Sequence, residues 1–354
     1  MDAFNTLIPT KYHGWISGCD PLSPAWSNPI DFTAPPAAPQ TKSFIFDHRK
    51  AMDPCQHPTI LRSHGQFLPW GRGPIPNEHL TPSFAYSPSM MHQDITLAHT
   101  VAWRDSAKKR QLLEWDDKKD DRLEWRGRNT GIWFGGDFEW RQSQRARLME
   151  WANGDERGLA GNITVVIDGK EVLVDRTLYA PAMLDIGFID GPHNQCEEDI
   201  CPKLLELYDF HRRPHSQMQA SRYKYILDVD GNAWSSRFHR LMSTTNSLIF
   251  KSTVYPEWWA DRVQPWVHYV PVQNDLSDLW DSLVFFRGGL DGRGRHEKEA
   301  RRIARDGKEW AQRYWRKEDM TAYNFRWVNL IYFCCQCARA HLLFVGCSSS
   351  TPVS

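Results

Sequence analysis

The chain has 354 residues, 41% apolar and 13% aromatic, enough to bury a sizeable core and, by length, to form two domains. Its 43 Lys and Arg balance 43 Asp and Glu, so no whole-protein field draws it to nucleic acid or to an anionic membrane, and any anion site must be local. Seventeen tryptophans suit stacking on sugars or bases and equally suit a bulky core.

Residues 1–45 are rich in Pro, Ser, Asn and Ala and read as irregular chain wrapping a surface. The start, "MDAFNTLIPTKYHGW", lacks a basic region followed by an apolar one and is not a secretory signal as written. A short helix is expected near 49–63 and a strand at 83–87. The run "DDKKDDRLEW" at 116–125 reads as a charged surface turn, with a domain boundary just before it. Residues 139–153 carry helical spacing, and "NITVVIDGKEVLV" at 162–174 reads as a hairpin turning at Asp168-Gly169. Cys196 and Cys201 flank "EEDI" and either close a small loop disulfide or remain free thiols. The eight cysteines show no zinc-type spacing.

From 222 onward, strand runs at 223–229, 247–251 and 266–270 alternate with helices near 235–243, 257–264, 276–286 and 296–315. That alternation implies βαβ units and a parallel sheet, with ligands outside the carboxyl ends of the strands. The apolar run 327–346 is interrupted by Gln336, Arg339 and His341 and reads as a buried terminal helix rather than a membrane span.

The loop in "YKYILDVDGNAWSSRF" at 223–238 allows three uses. Calcium is disfavoured, because Ala233 and His239 stand where an EF-hand-type loop needs glycine and glutamate. Asp228-x-Asp230 could hold a metal-bound nucleotide sugar, or only hydrogen-bond the turn around Gly231. Third, Gly231 permits a tight turn, Ser235 or Ser236 can cap the next helix, and Arg237 with free backbone N–H groups can take a phosphate. Against this stands a plain pairing of Arg237 with Asp230. "GGLDGRG" at 288–294 lacks the spacing of a dinucleotide fingerprint.

"RLEWRGRNTGIW", "YKYILDVDGNAWSSRFHRL" and "SLIFKSTVYPEWWADRVQPWVHYVPVQNDLSDL" resemble the fungal, capsule-associated branch of glycosyltransferase family 90, which also holds the Rumi-type and KDEL-bearing protein O-glucosyltransferases. The resemblance covers about 45–326. It implies an α/β, GT-B-like architecture of two Rossmann-like domains, the N-terminal one incomplete. The organisation expected is a partial acceptor-side domain at 1–115, a nucleotide-sugar domain at 116–326 and an atypical tail at 327–354. It further implies transfer of xylose or glucose from a UDP-sugar to a glycan or protein, inverting and without a metal, and residence in the Golgi or endoplasmic reticulum.

Residue by residue, the resemblance places Asn232, Ser235, Ser236 and Arg237 around the UDP pyrophosphate, with Phe238 packed beneath. Arg126, Gly127 and Thr130 match an aromatic-Arg-Gly strand end, Arg126 as second cation, and Glu257 is placed to accept ribose hydroxyls from a helix start. Asp94 and Trp103 match the acceptor side; His92 beside Asp94 reads as a lone histidine. Trp266 and His268 read as supporting residues. The family's catalytic Asp belongs to an Arg-Asp-(Tyr or Glu)-Pro motif that this sequence does not contain. The catalytic residue is therefore unassigned, the chain is expected to begin after that motif and any membrane anchor, and a catalytically inert binding remnant is the alternative.

Overall fold

The computed structural model describes residues 14–28, 43–69, 73, 82–100, 103, 112–136, 139–153, 161–192, 196–210 and 212–347, with side chains to 333. β1 (Phe84–Ala85) and β2 (Ile95–Thr96) form a short parallel pair. β3 (Asp120–Gly127) is followed by the antiparallel hairpin β4 (Asn162–Ile167) and β5 (Lys170–Asp175). β6 (Leu184–Phe188), β7 (Tyr223–Val229), β8 (Leu248–Ser252) and β9 (Val270–Pro271) complete a five-stranded parallel sheet, ordered β6-β3-β7-β8-β9.

Strands covered on both faces read as near-continuous apolar runs, and β7 and β8 do. Tyr225, Leu227, Leu248 and Phe250 enter one core with Trp125 and the helix Leu279–Arg287, while Ile226 and Ile249 enter a second with the helix Phe238–Thr244, Trp259 and Trp315. The helix Glu297–Tyr314 contributes to both.

Several expectations need correction. The charged run at 116–125 is half strand: β3 begins at Asp120, and Lys118 is buried, donating to the Ser221 and Thr245 carbonyls and to Ser247 Oγ. Its charges are paired, Arg122 with Asp120 inside the strand and Arg287 with Asp121 from a distant helix, which is how a polar sequence can occupy a strand. Residues 257–264 form turns instead of a helix. Pro265, which disfavours helix for the residue before it, ends them, and Trp266 follows in left-handed backbone at φ 64°. That tight turn leaves only Val270 of the expected strand 266–270 in the sheet, where it pairs together with Pro271. β6 was not anticipated. The expected helix at 49–63 is two short pieces, His48–Ala51 and Pro58–Arg62.

The terminal helix is present, Lys317–Cys347, and among its described side chains Phe325, Val328, Leu330, Tyr332 and Phe333 are at least half exposed, not buried. Past Tyr323, which meets Trp258, these apolar side chains face outward. Among the described residues, no helix is long and apolar enough to cross a membrane.

The described residues hold one Rossmann-like sheet. Before residue 116, chain wraps over it: Trp15, Ile16, Ile60, Leu61 and Phe67 cluster with Val254 and Tyr255, and His48 Nδ1 lies 2.8 Å from Tyr269 Oη. Cys19 pairs with Cys55 and Cys196 with Cys201; the first bridge was not foreseen. It closes a separation of 36 residues, worth at most about 4 kcal/mol by chain entropy. Cys55→Ser should therefore lower the unfolding free energy by about 2–4 kcal/mol in urea. Equal midpoints for variant and parent would show that this bond contributes nothing.

Candidate functional site

Taken in chain order, the parallel strands run 2-1-3-4-5 across the sheet: β3 lies inside, β6 pairs on one side of it, and β7 on the other. The chain reverses its winding between β3 and β7, and ligands of such sheets bind at that switch, beyond the carboxyl ends of the two strands. The loops there are 128–131 and 230–237. They are the segments singled out in the sequence.

One residue that sequence reading missed ties these loops together. Arg145, buried on the helix Gln144–Asn153, donates Nη1 to the Arg128 carbonyl and Thr130 Oγ1, both at 2.6 Å, and Nε to the Asp230 carbonyl at 2.8 Å. Gly131 N–H donates to Asn232 Oδ1 at 2.9 Å. Gly131 has φ 104°, and a Cβ there would sit 2.9 Å from the Gly231 carbonyl oxygen, so this crossing admits only glycine. Thr130 and Asn232 thus set the shape of the crevice. Gly127 is small because a Cβ there would lie 2.4 Å from the Trp125 ring.

Arg126 does not reach the crevice. Its guanidinium is buried on Asp185 of β6 and on the Trp125 and Asp185 carbonyls. The second cation beside Arg237 is Arg145 instead, and both guanidiniums lie over Trp125, at 5.4 Å (Arg145) and 5.8 Å (Arg237) from the ring centroid. Burial, reinforced by the charge of Arg237, brings the Arg145 pKa down to about 9. Two cations held together in low dielectric favour an anion between them.

The aspartates are committed to the fold. Asp228, fully buried, pairs with Lys251 Nζ at 3.0 Å and accepts from Ser235 Oγ. Asp230 accepts from Thr253 Oγ1 at 2.7 Å and Val254 N–H at 2.9 Å, with His64 Nε2 at 3.2 Å. Arg237 does not pair with Asp230: its Nη1 donates to the Arg126 carbonyl at 2.6 Å, and its buried Nη2 makes no hydrogen bond, lying 3.6 Å from Asp228. Neither serine caps the following helix, where Arg237 itself is N-cap without a side-chain bond. Phe238 packs beneath, against Trp259, Tyr269 and Trp315.

Beside this crevice, Ser235, Ser236, Glu257, His239 and Trp103 line an open pocket with other aromatic residues. Glu257 is buried, and burial, opposed by Lys251 and by the Trp259 side chain, pushes its carboxyl up to about 8. It stands in a turn, so no helix dipole compensates it. Burial lowers His239 to about 4. Trp103 Nε1 donates to the Trp315 carbonyl at 3.3 Å. Asp94 lies elsewhere, accepting from Ser83 Oγ at 2.6 Å, and His92 bonds Ser89. Trp266 Nε1 donates to the Ile45 carbonyl at 2.6 Å and His268 Nδ1 accepts from Gln264 N–H at 2.8 Å, both supporting contacts. His239 and the aromatic walls carried no motif in the sequence; only packing brings them together.

The sheet order defines a doubly wound α/β protein, with Arg145, which is buried, and Arg237 beside its switch point. The family model of glycosyl transferase family 90 matches residues 71–331, and the chain belongs to that family. It is 26% identical over 196 residues to protein O-glucosyltransferase 2 of Danio rerio, covering 55% of this chain and 31% of that protein. To protein O-glucosyltransferase 1 of Rattus norvegicus it is 31% identical over 110 residues, 31% of this chain and 26% of the relative. To human protein O-glucosyltransferase 3 it is 28% identical over 137 residues, 38% and 24%. The matched stretch spans about a third or less of these relatives.

Proposed function

We propose that the chain binds a UDP-sugar, carrying glucose or xylose, and passes the sugar to a protein or glycan hydroxyl with inversion and without a metal ion. The observation that carries this reading is Arg237: a guanidinium with one buried, unbonded nitrogen, beside the buried cation Arg145, at the switch of a parallel sheet. A departing diphosphate accumulates charge as the C1–O bond breaks, and preorganised cations stabilise that charge. The helix after the loop, Phe238–Thr244, is about two turns long, so its dipole is minor beside the two guanidiniums. Asp228 and Asp230 are occupied by Lys251, Ser235, Thr253 and Val254, which favours a metal-free diphosphate site. The relatives' name, protein O-glucosyltransferase, favours glucose and a protein hydroxyl. The disulfides Cys19–Cys55 and Cys196–Cys201 fit an oxidising compartment such as the endoplasmic reticulum or Golgi.

Calorimetric titration of UDP, with and without EDTA, tests the reading. The parent should bind equally in both, and Arg237→Ala should bind about 10- to 100-fold more weakly, the loss expected for charge-assisted hydrogen bonds. A folded chain that ignores UDP would sink it. A second reading, binding without turnover, is favoured by the absence of the Arg-Asp-(Tyr or Glu)-Pro motif from this sequence. Inverting transfer needs a base for the acceptor proton. UDP-sugar consumption by a UDP-binding chain separates the two.

A further inference from the structure

Asn162-Ile163-Thr164, which opens β4, is the one Asn-x-Ser/Thr triplet of the sequence. Its central residue is not proline, as an acceptor of N-linked sugar requires. Residues two apart in a strand point to the same face, so the Asn162 carboxamide and the Thr164 hydroxyl share one side of β4, Asn162 exposed and Thr164 half-buried. The two faces of the hairpin differ. Val165, Ile167 and Val174 enter the core, whereas the face that carries Asn162 also presents Leu173, directly opposite Thr164 and 65% exposed, and Val166, 39% exposed. Among the described residues β4 and β5 pair only with each other, so each keeps an unpaired edge beside this apolar face. Such a combination invites association unless something bulky and polar covers it.

We propose that Asn162 carries an N-linked oligosaccharide whose inner sugars lie over Leu173 and Val166. The proposal is independent of the donor reading. In the step, the Asn162 carboxamide nitrogen bonds to C1 of an oligosaccharide carried on a lipid diphosphate; the C1–O bond breaks, the diphosphate leaves with its lipid, and the carboxamide gives up one proton. The backbone of Asn162 is already paired with Asp175, so a substituent on its side chain costs the ladder nothing. The two disulfides, Cys19–Cys55 and Cys196–Cys201, fit a secretory compartment, and a sugar on an exposed Asn-x-Thr triplet belongs to the same setting.

The test directs the full chain through the secretory pathway of a eukaryotic cell behind a cleavable signal. Peptide N-glycosidase should then increase its electrophoretic mobility, and peptide mass spectrometry should find aspartate in place of Asn162 after the treatment. Asn162→Gln and Thr164→Val should both abolish the shift, whereas Thr164→Ser, which keeps a hydroxyl in the triplet, should retain it. Circular dichroism confirms that each variant folds, and valine suits a strand position. The covering role has its own readout: binding of an apolar-surface dye should rise by about 2-fold or more in Asn162→Gln and return toward the parent level when Leu173→Thr is added. A folded chain, its Cys19–Cys55 bond formed, that carries no sugar at Asn162 would overturn the proposal. Sugar at Asn162 with equal dye binding by parent and Asn162→Gln would retain the attachment site and overturn the cover. The mass spectrum of the parent decides the attachment even if a variant fails to fold.

Discussion

Lys251→Met should be among the most damaging single changes in this protein. Lys251 stands directly opposite Asp228 in the parallel β7–β8 ladder, both are fully buried, and the ammonium also lies 4.4 Å from the centre of the Phe238 ring. Burial alone would lower the lysine pKa, yet the negative charge of Asp228, reinforced by Asp230, holds it above the ordinary value. Removing the cation leaves Asp228 charged, desolvated and supported mainly by the Ser235 hydroxyl, with Arg237 at 3.6 Å. Breaking a buried pair from one side costs roughly 3–5 kcal/mol, whereas replacing both partners with neutral groups costs much less. Urea unfolding should therefore show a large loss for Lys251→Met and recovery of most of it in Lys251→Met with Asp228→Asn. If the double variant is no more stable than the single one, the pair is not what holds β7 to β8 at this level.

The second large effect is on binding rather than stability. Arg145→Met removes the donors that join the loop after β3 to the loop after β7, and it removes one of the two cations proposed to face the diphosphate. The stability loss should be modest, about 1–2 kcal/mol, because the broken hydrogen bonds are partly offset by no longer burying a charge that its surroundings already destabilise. UDP affinity should fall by ~100-fold or more, since the remaining cation is no longer backed by a shaped crevice. Arg145→Lys should not rescue it: an ammonium is a point charge and cannot span three acceptors as a guanidinium fork does. Calorimetry beside urea unfolding checks both halves. Normal UDP binding by a folded Arg145→Met would remove Arg145 from the site.

The legible and illegible parts of the fold divide along physical lines. β7 was read to the residue because a strand buried on both faces must be apolar on both, and "YKYILDV" is such a run. The hairpin 162–175 was legible because Asp168, at φ 51°, and Gly169, at φ 74°, are residue types that tolerate left-handed backbone. β3 is legible only at its Trp125-Arg126-Gly127 end, because its polar side chains find partners distant in sequence, Asp185 for Arg126 and His215 for Glu124, and no local pattern announces such partners. The helix expected at 257–264 is a run of turns ending at Pro265, which disfavours helix only for the residue before it.

The candidate site divides in the same way. The sequence by itself determined the family and the two loops at the switch point, because these depend on contiguous residues whose chemistry is written in order. Only the tertiary structure decided where the cations lie: Arg126 is spent on β6, and Arg145, 15 residues beyond Thr130, stands beside Arg237. It also turned the Asp228-x-Asp230 pair into fold supports by bringing Lys251, Thr253 and Val254 against them, and set Glu257 beside aromatic rings from four separate segments. A charge's role follows from its partners and its exposure to water, and both are fixed by contacts between residues far apart in the chain.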